Sequence, residues 1–241
     1  MKKPLLLACL LALLAFCFTA CSCDSEEVEE KTFTVKFETY VDKKVNEQKV
    51  PSGGLVGRPG VKMERPGYNF EGWYNGEQKW DFEKSKVGKD ITLTAKWERY
   101  LSFAAVSEIE DNYVKSLFSG DSLDGIIVTG CDYYTANVVI PESYNGKKVV
   151  GIYWAFANRS ALRSVVIPKG VLYISANSFN NCPMLKSVVI PASVSKIDSG
   201  AFSACTALEN IYCMAESKPS GWHDNFNKTS AQVTFGYTED K

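Results

Sequence analysis

The sequence predicts a mainly β protein: a short, capped solenoid of stacked coils preceded by a small β module, a tether and a leader. Three observations carry this. Val165-Val166-Ile167-Pro168 recurs as Val188-Val189-Ile190-Pro191, and 188 minus 165 is 23. Ser178-Phe179-Asn180-Asn181-Cys182-Pro183-Met184-Leu185 recurs as Ala201-Phe202-Ser203-Ala204-Cys205-Thr206-Ala207-Leu208, again 23 residues on. Residues 32–97 alternate apolar and polar side chains between glycine-rich turns, the period of half-buried strands.

Residues 1–20 read as a lipoprotein signal peptide. Lys2 and Lys3 precede an apolar run from Leu5 to Phe18, shorter than the ~20 residues a membrane span needs. The run ends in Phe18-Thr19-Ala20-Cys21, which resembles a bacterial lipobox with Phe18 in place of the commoner leucine. The resemblance implies cleavage before Cys21 and a lipid on that residue; an ordinary signal peptide is the alternative. Residues 21–31 follow as a lipidated, acidic tether. With Asp24, Glu26, Glu27, Glu29 and Glu30 they hold too little apolar surface to order themselves. The expected location is extracytoplasmic, lipid-anchored to the cell envelope, at an outer membrane or cell surface.

Residues 32–97 form the small β module. Phe33, Val35 and Phe37 share one strand face, and Ile91-Thr92-Leu93-Thr94-Ala95-Lys96-Trp97 repeats the alternation. Tyr68, Phe70, Trp73, Tyr74, Trp80 and Phe82 supply a core, each contributing roughly 1.5–3 kcal/mol when buried. The run Arg65-Pro66-Gly67-Tyr68-Asn69-Phe70-Glu71-Gly72-Trp73-Tyr74, with Ala95-Lys96-Trp97, resembles the internalin-type B-repeat. That family implies a β-grasp-like module of cell-surface proteins with no catalytic residues to transfer.

Residues 98–122 are a linker or an N-terminal cap; Tyr100, Leu101, Phe103, Val106, Ile109, Tyr113, Val114 and Leu117 fit helical spacing. Residues 123–213 are the solenoid. Leu162, Val165, Ile167, Val171, Ile174 and Phe179 need cover that one coil cannot provide, and Leu185, Val188, Ile190, Val194, Ile197 and Phe202 of the next coil provide it. An earlier copy, Val138-Val139-Ile140-Pro141, sits 27 residues upstream (165 minus 138) with an insertion around Tyr144 to Lys148. A period in the low twenties with Leu-x-x-Val-x-Ile spacing is a leucine-rich repeat signature. Val-Val-Ile-Pro, Ala-Phe and Cys-x-x-Leu resemble the BspA-type subfamily, which implies a surface protein, in several members linked to adhesion. Residues 214–241, with Trp222 and Phe235, break the period and read as a C-terminal cap.

Catalytic chemistry finds little support. His223 is the single histidine, beside Asp224, with no marked nucleophile. Ser52-Gly53-Gly54-Leu55-Val56-Gly57 lacks the Gly-Lys-Ser/Thr of a phosphate loop, and Asp121-Ser122-Leu123-Asp124-Gly125 lacks the rest of a calcium loop. No metal site or cofactor is expected, and with 27 basic against 28 acidic residues nucleic acid is not an expected partner. Cys182 and Cys205 occupy equivalent places in adjacent coils. Parallel side chains make a disulfide torsion awkward, so a buried thiol ladder is expected.

The candidate partner surface follows from strand alternation. With Val165 and Ile167 inward, Ser164 and Val166 face out, and the same logic sets Val139, Val189 and Tyr212, with Ser187 and Asn210, on the outer face. Residues 138–213 carry seven basic and three acidic side chains, a weak attraction for acidic partners. The expected function is non-catalytic recognition of a protein, of a host matrix or another cell surface. The alternatives are an envelope spacer or a glycan-binding accessory protein using Tyr212 or Trp154.

Overall fold

The computed structural model describes residues 30–238; the signal-like run, Cys21 and the acidic residues up to Glu29 lie outside them. From Thr32 to Pro51, the chain forms β1 (Thr32–Glu38) and β2 (Gln48–Pro51); then come β3 (Tyr68–Asn75), β4 (Gln78–Lys79) and β5 (Ile91–Arg99). They make one mixed sheet in the order β2-β1-β5-β3-β4, with β1 and β5 parallel and the other neighbours antiparallel. Val35, Trp73, Leu93 and Ala95 are buried together with Val56, Phe82 and Val87 from the loops, so alternation on the strands did place the core face. Phe37 and Phe70 meet the edge of Trp73 with ring centroids 5.0 and 5.8 Å apart, the orientation that aromatic quadrupoles favour.

The segment that helical spacing favoured is mostly not a helix. It begins with β6 (Leu101–Ala105), continues through a 3-10 turn, reaches the five-residue α1 (Asn112–Ser116) and passes a second 3-10 turn into β7 (Ile126–Cys131). β6 pairs antiparallel with β7 and becomes the edge of the solenoid's long sheet. A short apolar run satisfies periods of 2 and 3.6 alike, and the open ladder of β7 selected the strand. Val106, Ile109, Val114 and Phe118 then close over Ile127, Val150 and Tyr173 as a separate small core. Asp111 caps α1 by accepting from the Tyr113 and Val114 N–H groups. The Tyr113 and Tyr173 hydroxyls both donate to Asp198, at 3.2 and 2.6 Å, which fastens this cap across the sheet.

Beyond β7 lie β8 (Asn137–Val139), β9 (Ser143–Tyr144), β10 (Lys147–Ile152), β11 (Ser164–Val166) and β12 (Tyr173–Ile174). They are followed by β13 (Ser187–Ile190), β14 (Lys196–Ile197), β15 (Asn210–Cys213), β16 (Gly221–Trp222) and β17 (Gln232–Thr234). One side of the solenoid is the sheet β16-β14-β12-β10-β7-β6. The other consists of a parallel pair, β8–β11, and a parallel set of three, β13–β15–β17. Val165 lies opposite Val138, and Val188 opposite Ile211, so successive coils stack within each ladder, while the copies at Val165 and Val188 fall in different ladders. No ladder joins β11 to β13, and the front sheet is split there.

A continuous core runs between the two sides. Phe156, Phe179 and Phe202 stack along the axis, with centroids 4.9 and 5.0 Å apart and planes within 8°. Trp222 ends the stack of coils, its indole N–H on the Val194 carbonyl at 2.8 Å. The thiols of Cys131, Cys182, Cys205 and Cys213 are free and buried. Cys182 and Cys205 donate to the carbonyls of Phe156 and Phe179, at 3.0 and 2.9 Å, which is the thiol ladder.

The insertion of the first full coil is a β9–β10 hairpin turning on Asn145 and Gly146, whose φ values are 53° and 77°. Asn-Gly is the residue pair such a turn prefers. Tyr144 stacks on Phe103 at 4.2 Å and shares a hydrogen bond with the Tyr68 hydroxyl at 3.1 Å, so the insertion ties the solenoid to the N-terminal module.

Each coil also needs a left-handed residue in the turn after its phenylalanine. Asn158, Asn181 and Ala204 hold that place with φ of 59°, 58° and 56°. Asparagine tolerates this region, whereas alanine is strained by roughly 1–2 kcal/mol. Replacing Ala204 with glycine or asparagine is therefore expected to raise stability by about 1 kcal/mol. A rise in Tm of about 2–4 °C in thermal unfolding would register it; an unchanged Tm would mean that the turn carries no strain.

Candidate functional site

The front sheet places the outward-facing residues as alternation implies, but their exposure is graded. Val139 and Val166 are open, 57% and 56% exposed, while Val189 and Tyr212 are half-buried. Ser164 and Ser187 are exposed, Asn210 is half-buried, and the Ser164 hydroxyl donates to the Asn137 side-chain oxygen at 2.7 Å. Tyr212 loses exposure to the C-terminal segment: β17 pairs with β15, and Tyr237 lays its ring 4.6 Å from that of Tyr212. The open part of the stripe is thus its N-terminal half.

A groove of about 440 Å³ lies over that half and crosses the split between β11 and β13. Val139, Val166 and Val189 line it, with Pro141, Pro168 and Pro191 along one side, where proline ends each strand and withholds its donor. Lys169 and Glu142 are its charged residues. A second cleft of about 390 Å³ opens where the module meets the solenoid, lined by Arg65, Tyr68, Tyr100 and Asn137 among others, and it shares Val139 and Pro141 with the groove.

The other sequence candidates are occupied by ordinary structure. His223 Nδ1 accepts the Asn225 N–H at 3.0 Å, while Asp224 pairs with Lys218, whose charge holds its carboxyl below the usual range. Asp124 is bound to Lys147 at 2.7 Å, and Gly53 is a turn residue with φ 76°. Burial pushes the Cys131 thiol up to about 11 and that of Cys213 up to about 12, and the Cys182 thiol is raised by the neighbouring Cys205 thiol and by burial. Thiols held protonated in this way are poor nucleophiles. Among the described residues no cluster of three or more His, Cys, Asp or Glu side chains gathers that could hold a metal, and no helix is long and apolar enough to cross a membrane.

Trp154 was legible only as an exposed aromatic. Its φ is 55°, where the equivalent positions of the next coils hold Asn177 and Gly200, and it is 52% exposed. A bulky residue in the left-handed region is uncommon and costs stability.

Comparison with known proteins fits both halves. Residues 134–232 match the BspA type leucine-rich repeat region in six copies, and residues 33–96 match the Listeria-Bacteroides repeat domain. Two proteins of Evansella cellulosilytica are similar. One, provisionally named a membrane protein, is 32% identical over 46% of this chain and 20% of its own length. The other, provisionally named a Gly-rich membrane protein, is 36% identical over 52% of this chain and 17% of its own. The chain thus spans about a fifth of the length of the curated relatives it matches. Among solved structures, a T. pallidum leucine-rich repeat protein aligns at 22% identity and a TM-score of 0.27, over 40% of this chain and 69% of that one. A leucine-rich cell surface protein of Faecalibacterium prausnitzii aligns at 22% and 0.24, over 37% and 35%. The chain carries a Listeria-Bacteroides repeat domain followed by a BspA-type leucine-rich repeat solenoid.

Proposed function

We propose that this chain is a non-catalytic recognition protein of the cell surface, held to the envelope by a lipid on Cys21, that binds a partner protein across the N-terminal half of the front sheet. The observation that carries the reading is the pair Val139 and Val166, more than half exposed on adjacent strands beside an apolar groove. Contiguous apolar surface rimmed by polar groups is what partner sites use. The Ser164 and Ser187 row beside it supplies polar rim contacts.

Val166→Asp combined with Val189→Asp tests the reading. Both side chains point away from the core, so thermal unfolding is expected to stay within about 1 kcal/mol of the parent. Capture of the partner from host matrix or cell-envelope fractions is expected to vanish, because a desolvated carboxylate at the centre of an interface costs several kcal/mol. Full capture by the folded double variant would remove this surface from consideration. Recovery of glycan in place of protein would favour the second reading, which Trp154 supports: a bulky aromatic held strained and open is an unlikely choice for structure alone.

A further inference from the structure

β8 is the first strand of the front sheet and, among the described residues, is paired only with β11. The Ser164 N–H donates to the Ala136 carbonyl and the Ile140 N–H to the Val166 carbonyl. Parallel ladders engage every second residue of a strand, so Ala136, Val138 and Ile140 face β11. Asn137 and Val139 therefore turn their backbone groups the other way, into the cleft between solenoid and module. The Tyr100 hydroxyl confirms the direction, since it donates to the Val139 carbonyl at 3.1 Å from that side. The Asn137 N–H and C=O and the Val139 N–H remain, spaced as an incoming strand would need them.

The cleft along this edge holds one cation that no carboxylate neutralises. The Arg65 guanidinium lies 3.9 Å above the Tyr68 ring on the far wall of the cleft. Arg65 appears in no ion pair among the described residues. Glu64 in the cleft is neutralised by Lys43 and Lys62, which leaves Arg65 as the cleft's unpaired charge.

We propose that an extended acidic segment of a partner protein adds to the outer edge of β8 as a further strand. Its backbone meets Asn137 and Val139, a carboxylate meets Arg65, and its alternate apolar side chains lie beside Val139. Strand addition of this kind draws affinity from main-chain hydrogen bonds and specificity from alternate side chains. The proposal rests on the valine-stripe reading and names the chemistry of its partner.

The test titrates the purified full chain into a fluorescent heptapeptide alternating glutamate and valine, read by anisotropy. Two controls replace glutamate with lysine or methylate alternate amide nitrogens. The acidic peptide is expected to bind, and each control to bind about tenfold more weakly, through lost charge pairing or lost hydrogen bonds. Val139→Pro removes the outward N–H at a sheet edge, where proline is tolerated, and is expected to weaken binding about tenfold as well. Arg65→Glu is expected to reverse the preference toward the lysine peptide. If Val139→Pro unfolds, the methylated peptide deletes the same bonds from the other side and decides alone. Equal binding of acidic and lysine peptides, or of methylated and unmethylated ones, would overturn the proposal. A dimer in sedimentation that Val139→Pro abolishes, without peptide binding, would assign the edge to a second copy of this chain and overturn it too. Negative peptide results beside lost capture by Val166→Asp plus Val189→Asp sink the added strand and leave the stripe; unchanged capture sinks both.

Discussion

Phe179→Ala is expected to lower stability by about 5 kcal/mol, the largest effect of any single truncation in the solenoid. The side chain is fully buried, and a buried Phe→Ala change costs about 3–5 kcal/mol in transfer and cavity terms. Phe179 is also the middle ring of three and stacks on both Phe156 and Phe202, each ring pair adding about 0.5–1.5 kcal/mol beyond area. The coil that loses it cannot draw cover from elsewhere, because each coil touches only its neighbours. Thermal and urea unfolding followed by circular dichroism should show Tm lower by about 10–20 °C. Phe156→Ala removes an end ring with one stacking partner and is expected to cost less. Equal losses for the two variants would mean that the rings act only through their volume and that the ladder adds nothing.

Gly221→Val is expected to detach the C-terminal cap at a cost of about 3 kcal/mol or more, the upper end of overpacking. A Cβ at Gly221 would fall onto the backbone carbonyl oxygen of Ser195, the residue that leads into the neighbouring strand β14. Backbone cannot step aside as a side chain can, so β16 must leave β14, where Gly221 is paired with Lys196. Trp222 leaves with it and gives up its bond to Val194 and its packing against Phe226 and Phe235. Ile197 and Leu208 then meet water. Loss of a terminal cap exposes a coil that was built to be covered, so light scattering should rise along with the drop in Tm. Gly88→Val is the control, since a Cβ there meets nothing within 4 Å. It is expected to change stability by no more than about 0.5 kcal/mol. A monodisperse Gly221→Val protein with the parent Tm would show that the cap tolerates displacement.

The inward residues of the solenoid were readable because each coil repeats the same local instruction. Leu162, Val165 and Ile167 recur as Leu185, Val188 and Ile190, and all six are buried in one core. The strand faces of the N-terminal module were readable for the same reason, since a period of 2 commits Val35, Leu93 and Ala95 to one side. Residues 98–122 were misjudged where they form β6, because their pairing partner β7 is distant in sequence and a five-residue apolar run does not choose its own period. The offset of 27 residues in the first full coil was visible as an insertion. That it would be a hairpin carrying Tyr144 to Tyr68 and Phe103 was not, although its Asn145-Gly146 turn was a usable signal.

The candidate surface divides in the same way. Which residues face outward on the front strands followed from alternation, and Val139, Val166, Ser164 and Ser187 are exposed. Which of them stay open depended on chain far away: Tyr237 closes over Tyr212, and the split between β11 and β13 leaves Val166 beside a groove. Periodicity and composition by themselves determined the repeat and its buried side, because these are properties of neighbouring residues and of stacking at one fixed interval. Only the tertiary structure decided the join between module and solenoid, the free edge of β8 and the open length of the valine stripe. Exposure is what remains after every other segment has packed, and no local pattern encodes that remainder.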